Sequence, residues 1–461
     1  MFSLPGIVFL VSLIYVRPQE FIDVIKPWPL LYVALGLMIF GLLLDLRLRL
    51  AQPLIPPQLA IIVAFFAWCV VALALRQPEE IGRVSFFLGI PVALCLAIAA
   101  GVQTFRAFEL VAGLMLALAL FLAGVGVHQN FAPLGCHYPD PMSEDAAFLY
   151  DGRPCEEPED CQSGDADPET DYICEHTGVF NTTPIIGRVR YRGVFNDPND
   201  LALTISMSLP FAFAFAERKR SALRVLVLVL SLGLIGLCTV YTKSRGGQVT
   251  FLTVVAIYVY RRYGWRGLVA AGLAGLPVIL LGGRSGEEAE ESFLGRVEAW
   301  NEGLLMFRSW PILGVGQGHF LDHHFRTAHS SFVLAIAELG FPGLVAWSSM
   351  LYLSMKIPLS ALRHLDADPG EAPDVARIWA KALIASLAGL FVGSSFLSFA
   401  YHVALWILVG MAGAFAVAVR RHAPDWRVTF DRRDLVNVVL IDIAATIGLY
   451  VYVRLKLGGV V

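Results

Sequence analysis

The scarcest component of this chain is charge. Asp, Glu, Lys and Arg supply 16% of its 461 residues and 57% are hydrophobic, whereas a soluble globular chain carries about 25% charged residues. That excludes an ordinary water-soluble enzyme, and no nucleic-acid partner is expected. No polar stretch remains for a separate soluble catalytic domain, so the chemistry must lie on helices and the loops between them. Features of a cleavable leader are also scarce, and the first span is expected to be retained. The first apolar run has no basic n-region and no small-residue cleavage site, and it continues into "YVRPQEFIDVIKPWP", as a retained span does. The glycine-rich "GVGQGHF" lacks the Lys-Ser/Thr of a phosphate-binding loop, and a tight turn accounts for it.

What is present is a series of apolar stretches near the ~17 to 25 residues that cross about 30 Å of hydrocarbon. They lie near 2–16, 29–45, 58–75, 84–101, 107–127, 198–216, 222–241, 247–260, 267–281, 329–354, 379–397, 400–419 and 434–453. The expected fold is an all-α polytopic membrane bundle of about 12–13 transmembrane helices. Its parts are N-terminal spans over 1–127, an acidic cysteine-containing loop over 128–197, a central region over 198–354 with a long polar loop at 282–328, and C-terminal spans over 355–461. With the N-terminus inside, just over half of the 35 Lys and Arg residues fall in inner loops. Compact runs such as "ERKRSALR" and "RRYGWR" decide the orientation, because long loops are discounted. The net charge of −3 says little, since the signs are segregated along the chain.

The cysteines test that topology independently. Cys69, Cys95 and Cys238 sit inside apolar spans, while Cys136, Cys155, Cys161 and Cys174 cluster in the acidic loop. Such a cluster fits disulfides in an oxidising compartment, the side that the charges choose, and leaves every pairing open. A zinc site is the rival reading, but no C-x-x-C pair is present. "CQSGDADPETDYICE" has carboxylates for calcium without the ordered EF-hand spacing. A solvated acidic surface insert is the expectation.

Three arginines reach the outer surface from separate parts of the chain. Arg192 stands in "RYRGVFNDPND", where Asn196-Asp197-Pro198 signals a turn and helix start with Pro198 in the first helical position. Arg245 stands in "YTKSRGGQ" at a helix end; taken alone, it reads equally as a snorkelling interfacial residue. Arg296 stands in "GRVEAWNEGLL", where Phe293, Val297, Trp300, Leu304 and Leu305 repeat at helical spacing and predict an amphipathic helix along the membrane surface. Together the three would suit a doubly charged phosphate group. His329 opens the apolar run of "RTAHSSFVLAIAELG", and an imidazole with a free pKa near 6.5 suits general-base work.

The ordered set "RGVFNDPNDLA", "SRGG", "GRVEAW", "WPILGVGQGHF" and "HSSFVLAIAELGFPGL" resembles the bacterial O-antigen ligase and O-antigen polymerase superfamily over roughly residues 190 to 345. The early "YVRPQEFIDVIKPWP" resembles the N-terminal loops of some members. The order and spacing of the five motifs carry the likeness; the acidic cysteine loop departs from it. The resemblance implies a multi-pass enzyme of the bacterial inner membrane, active on the periplasmic face, that transfers glycan from an undecaprenyl-diphosphate carrier to an acceptor hydroxyl in lipopolysaccharide or exopolysaccharide assembly. It implies that Arg245 and Arg296 bind the carrier diphosphate and stabilise the charge released there. It implies that His329, followed here by Ser330, is the catalytic base, with Arg192 a further phosphate contact assigned by position. No metal or other cofactor is implied. Lipid A core, a second lipid-linked glycan or a protein hydroxyl remain open as acceptors, with the short C-terminal region favouring a polysaccharide ligase or polymerase.

Two other readings compete with this one. His319, His323, His324 and His329 with Asp322 resemble a metal cluster, but no set of further carboxylates that would orient the imidazoles accompanies them. Glu338 lies nine residues beyond His329, about half a rotation away and about 13 Å deeper on a helix, so the two side chains are not expected to meet and Glu338 should pair near "GFPG". The competing function is a multi-pass transporter of a small anion or solute. It predicts two related halves with charged groups near the midplane, whereas no internal repeat is evident and the polar candidates gather at the outer edge.

Overall fold

The computed structural model describes residues 2–52, 54–139, 148–163, 170–219, 221–281, 286–367 and 374–458. Thirteen α-helices lie among them: α1 (Ser3–Val16), α2 (Leu30–Arg47), α3 (Leu59–Arg76), α4 (Ile81–Gly101), α5 (Phe105–Phe131), α6 (Pro198–Arg218), α7 (Ala222–Tyr241), α8 (Arg245–Leu281), α9 (Glu287–Ser309), α10 (Ser331–Ala367), α11 (Asp374–Ser394), α12 (Val403–Arg420) and α13 (Arg432–Lys456). Ten of them, α2–α7 and α10–α13, are long and apolar enough to cross a membrane. The apolar α1 is shorter, and the runs near 247–260 and 267–281 form two arms of α8 that meet at Gly264, φ +67°. The protein is an all-α, multi-pass membrane protein.

The chain forms two compact units. One comprises Met1–Ile7, Leu35–Val111 and Ser285–Val461. Within it α12 is buried almost throughout and packs on α4, while α10 packs on α3, α9, α11, α12 and α13. The amphipathic face expected on α9 buries Val297 and Leu304 against Val453 of α13, with Trp300 alongside.

The other unit comprises Val8–Ala34 and Ala112–Arg284. Here α6 packs on α7 and α8. The predicted start of α6 is observed: Asp197 caps it by accepting the Asn199 N–H at 2.7 Å, and Pro198 opens its first turn. The segment expected as a loop contains a small antiparallel sheet, β1 (Leu134–Pro139), β2 (Phe148–Pro154) and β3 (Ile173–His176), in the order β2-β1-β3. All four loop cysteines are paired, Cys136 with Cys161 and Cys155 with Cys174, at sequence separations of 25 and 19. Loops of that length restrict the unfolded chain enough to stabilise the fold by about 3 kcal/mol each. The acidic positions 164–169 of the candidate calcium-binding stretch fall outside the described residues.

His137 anchors this sheet. Its ring is buried, with Nε2 3.0 Å from Thr177 Oγ1 and Nδ1 3.3 Å from Thr183 Oγ1. Burial pushes its pKa below the ordinary histidine value. The unfolded chain therefore binds a proton that the folded one refuses, so this contribution is complete above about pH 6.5 and is lost as the pH falls below it. Amide exchange in β1–β3 is expected to accelerate from about pH 7.5 to about pH 5.5 beyond its intrinsic pH dependence. In His137→Gln that excess should vanish, and an unchanged excess would refute the assignment.

Candidate functional site

The residues singled out from the sequence divide between the two units. In the unit holding α6–α8, "YTKSRGGQ" is a tight link between two helices. After α7 ends, Lys243 takes a left-handed φ of +50°, and Ser244 caps the next helix by accepting the Gly247 N–H at 3.1 Å. Arg245 is then the first residue of α8, with its side chain exposed. Gly247 is dictated by packing, because a Cβ there would stand 2.3 Å from that of Ala202 on α6. The motif thus fixes an arginine on the N-terminal turn of a helix, where free N–H groups and the helix dipole favour an anion.

The arginines before α6 have structural employment. Arg188 donates from Nε to the Thr242 carbonyl at 3.0 Å and from Nη2 to Asn199 Oδ1 at 3.1 Å, tying the approach to α6 onto the link before α8. Arg190 is buried and donates to the Thr183 carbonyl at 3.0 Å. Arg192, expected among the phosphate contacts, donates from Nη1 to the Glu20 carbonyl at 3.2 Å and from Nη2 to the carbonyls of Phe180 and Asn181. It therefore clamps the early "VRPQEF" segment to the disulfide-bonded insert. Tyr191 reinforces that joint by donating to the Val16 carbonyl at 2.6 Å.

In the other unit, Arg296 and the His329 segment run side by side. The indole of Trp300, one turn after Arg296 on α9, donates to the Ala328 carbonyl at 2.9 Å. At the other end of the pair, a Cβ on Gly295 would lie 2.2 Å from Nη1 of Arg326. Residues 326–329 are thus laid along the turn of α9 that bears Arg296. Arg326 stacks on Phe325 and makes no ion pair among the described residues.

His329 is half-buried and left-handed, φ +47°, a conformation that needs outside support in a residue with a Cβ. Ser398 supplies it from the connection between α11 and α12, its Oγ accepting the His329 N–H at 2.9 Å and the Thr327 hydroxyl at 2.6 Å. Ser331 locks the same junction, donating to the Leu397 carbonyl at 2.7 Å and accepting the Phe399 N–H at 2.8 Å. Ser330 immediately precedes α10, its carbonyl accepting the Leu334 N–H at 2.9 Å. Neither Arg326 nor Ser398 was picked out by sequence. "RTAH" offered a weak cue for the first; nothing local marks the second, which lies 69 residues from its partner.

The support beneath the histidine is a deliberate break in α10. Gly340 is left-handed, φ +66°, and Pro342 has no N–H to return to the helix, so the carbonyls of Ala337, Glu338 and Leu339 lose their helical donors. Each is satisfied from elsewhere: Ala337 by the Val315 N–H at 3.0 Å, Glu338 by the Gly316 N–H at 3.0 Å, and Leu339 by Trp68 Nε1 at 2.9 Å. The freed Phe341 N–H reaches the Pro311 carbonyl at 2.8 Å. The "WPILGVGQGHF" segment is therefore more than a tight turn: it lays its backbone into the break, and Gly314 lets it approach, because a Cβ there would sit 2.2 Å from the Glu338 carbonyl carbon. Glu338 completes the joint as expected near "GFPG". Its Oε1 accepts the Phe320 N–H at 3.1 Å, beside Tyr401, whose hydroxyl is held well above its usual pKa by burial and by this carboxylate.

The remaining histidines are dispersed in role. His319 Nδ1 meets Asp322 Oδ2 at 2.7 Å, His323 packs on Trp310, and His324 Nδ1 meets the Arg326 carbonyl at 2.8 Å.

Residues 226–348 match the family model described as O-antigen ligase, a segment that includes Arg245, Arg296 and His329 and stops short of Arg192. No curated protein matches the chain.

Proposed function

From the match of residues 226–348 to the O-antigen ligase family model, we propose that the chain is a member of that superfamily and transfers glycan from an undecaprenyl-diphosphate carrier to an acceptor hydroxyl on the periplasmic face of the inner membrane. The observation that carries the reading is the pairing of Arg296 on α9 with the braced His329 segment, tied through Trp300 and Ala328. His329 takes the proton of the acceptor hydroxyl as its oxygen attacks the anomeric carbon, and the sugar–phosphate bond breaks to release undecaprenyl diphosphate. Arg296 and Arg245 hold the diphosphate, in whose oxygens the negative charge of the leaving group accumulates. The reading gives to guanidinium groups, charged at any relevant pH, the electrostatic task that a divalent ion has in other glycosyltransferases. Arg326 adds a third cation beside Arg296, while Arg192 acts by positioning the loops around α6. Lipid A core, for a ligase, or a second lipid-linked glycan, for a polymerase, is favoured as the acceptor over a protein hydroxyl.

Donor binding tests the arginines apart from chemistry. Undecaprenyl diphosphate is expected to raise the melting temperature of the purified protein. Arg245→Gln and Arg296→Gln should each weaken its apparent affinity by about tenfold or more, the loss of a charge-assisted hydrogen bond. Affinity unchanged in both variants would refute the assignment.

A further inference from the structure

Where α3 begins and α12 ends lies a groove of about 470 Å³. Its lining combines apolar side chains, among them Ile55, Pro57, Ile61 and Phe430, with two arginines, Arg420 and Arg427. Ile61 is in the first turns of α3 and Arg420 is the last residue of α12. Both helices are long and apolar enough to cross a membrane, so their ends, and the groove with them, fall at headgroup depth.

The walls are built independently of any occupant. Gln103 receives the Arg421 guanidinium at 2.6 Å and bonds Gln52 in both directions, from its Nε2 to the Gln52 carbonyl at 2.6 Å and from the Gln52 N–H to its Oε1 at 2.9 Å. That network fixes the loop before α3 and turns Arg421 away. On the other side, Lys356 donates to the Thr429 carbonyl at 3.0 Å, and the Trp426 indole donates to Ser360 Oγ at 3.3 Å, pinning the loop after α12 to α10. Arg420 and Arg427 make no ion pair or side-chain hydrogen bond among the described residues. Two cations without carboxylates, set in an apolar trough at a helix end, complement a ligand with a negative head and a hydrocarbon body.

We propose that this groove binds an anionic glycerophospholipid, its phosphodiester against Arg420 and Arg427 and an acyl chain along Ile55, Ile61 and Phe430. The site is separate from the glycan-transfer reading and stands or falls without it. In the orientation set by the basic loops, it lies in the cytoplasmic leaflet, where anionic lipids attract arginine.

The test is native mass spectrometry of the full chain released from phosphatidylcholine nanodiscs doped with phosphatidylglycerol. The wild type is expected to retain phosphatidylglycerol selectively, and Arg420→Gln with Arg427→Gln should bind it about thirtyfold more weakly. Ala60→Trp, which fills the groove from an exposed lining position while keeping both arginines, should also weaken retention and serves if the double variant folds poorly. Inorganic phosphate should not compete. Equal retention by wild type and variants, equal retention of phosphatidylcholine, or displacement by phosphate alone would each overturn the proposal.

Discussion

Alanine in place of His329 is expected to lower glycan transfer by about 10²- to 10⁴-fold, the usual contribution of a positioned general base, while donor affinity stays within about twofold of wild type. The split follows from the roles proposed. A hydroxyl is a poor nucleophile until its proton has somewhere to go, whereas the diphosphate is held by arginines that the substitution leaves alone. The backbone at 329 is left-handed and anchored by Ser398 through its N–H, an interaction alanine retains. The strain of a Cβ in that conformation exists in wild type as well. Asparagine, more tolerant of left-handed backbone, provides the matched control: His329→Asn should fold as wild type and be as inactive as His329→Ala. Transfer near the wild-type rate in both, measured at saturating donor, would remove His329 from the mechanism.

The largest structural effect is expected at Gly340. Alanine there adds a Cβ to a residue with φ +66° and places it 2.2 Å from the Ile312 carbonyl oxygen. A left-handed backbone costs about 1–2 kcal/mol in a residue with a side chain, and relieving the contact pulls residues 311–316 from the break. That sacrifices the bonds of Val315 to Ala337, Gly316 to Glu338 and Phe341 to Pro311, each worth about 1 kcal/mol. The expected loss is about 4–5 kcal/mol, a large fraction of a typical domain's stability. It should be seen as a lower melting temperature and a lower yield of monodisperse protein. Gly233→Ala, where a Cβ meets nothing within 4 Å, is the control and should be neutral or stabilising. Gly340→Ala melting with the control would show that the break does not depend on this conformation.

The two cases also show how far the sequence could be read. Helix spans were legible because each is a local property: an apolar run of sufficient length needs no knowledge of its neighbours. The start of α6 at Asp197-Pro198 was legible for the same reason, since the cap and its acceptor lie two residues apart. The disulfide cluster was visible from composition and compartment, but its pairing and the three-stranded sheet depend on residues far apart in the chain. "GVGQGHF" read as a turn because its partners, the carbonyls at 337 and 338, become available only when Gly340 and Pro342 interrupt a helix that sequence periodicity draws as continuous. Arg192 illustrates the converse. An arginine near an outer surface suggests an anion, and nothing local tells that the Nη groups of this one meet carbonyls at Glu20, Phe180 and Asn181, the first of them 172 positions away. Ser398, which braces the histidine, carries no local signal for the same reason.

The central claim is that His329 and the two arginines form the machinery of glycan transfer, and reconstitution addresses it directly. Purified protein is combined in proteoliposomes with undecaprenyl-diphosphate oligosaccharide and, in separate arms, lipid A core, a second lipid-linked glycan or a Ser/Thr-containing protein, and glycosylated product is quantified. The expected result is product in the lipid A core arm or the lipid-linked glycan arm, with equimolar release of undecaprenyl diphosphate, reduced at least about a hundredfold in His329→Ala and in Arg296→Ala. Product formed undiminished by both variants would contradict the account.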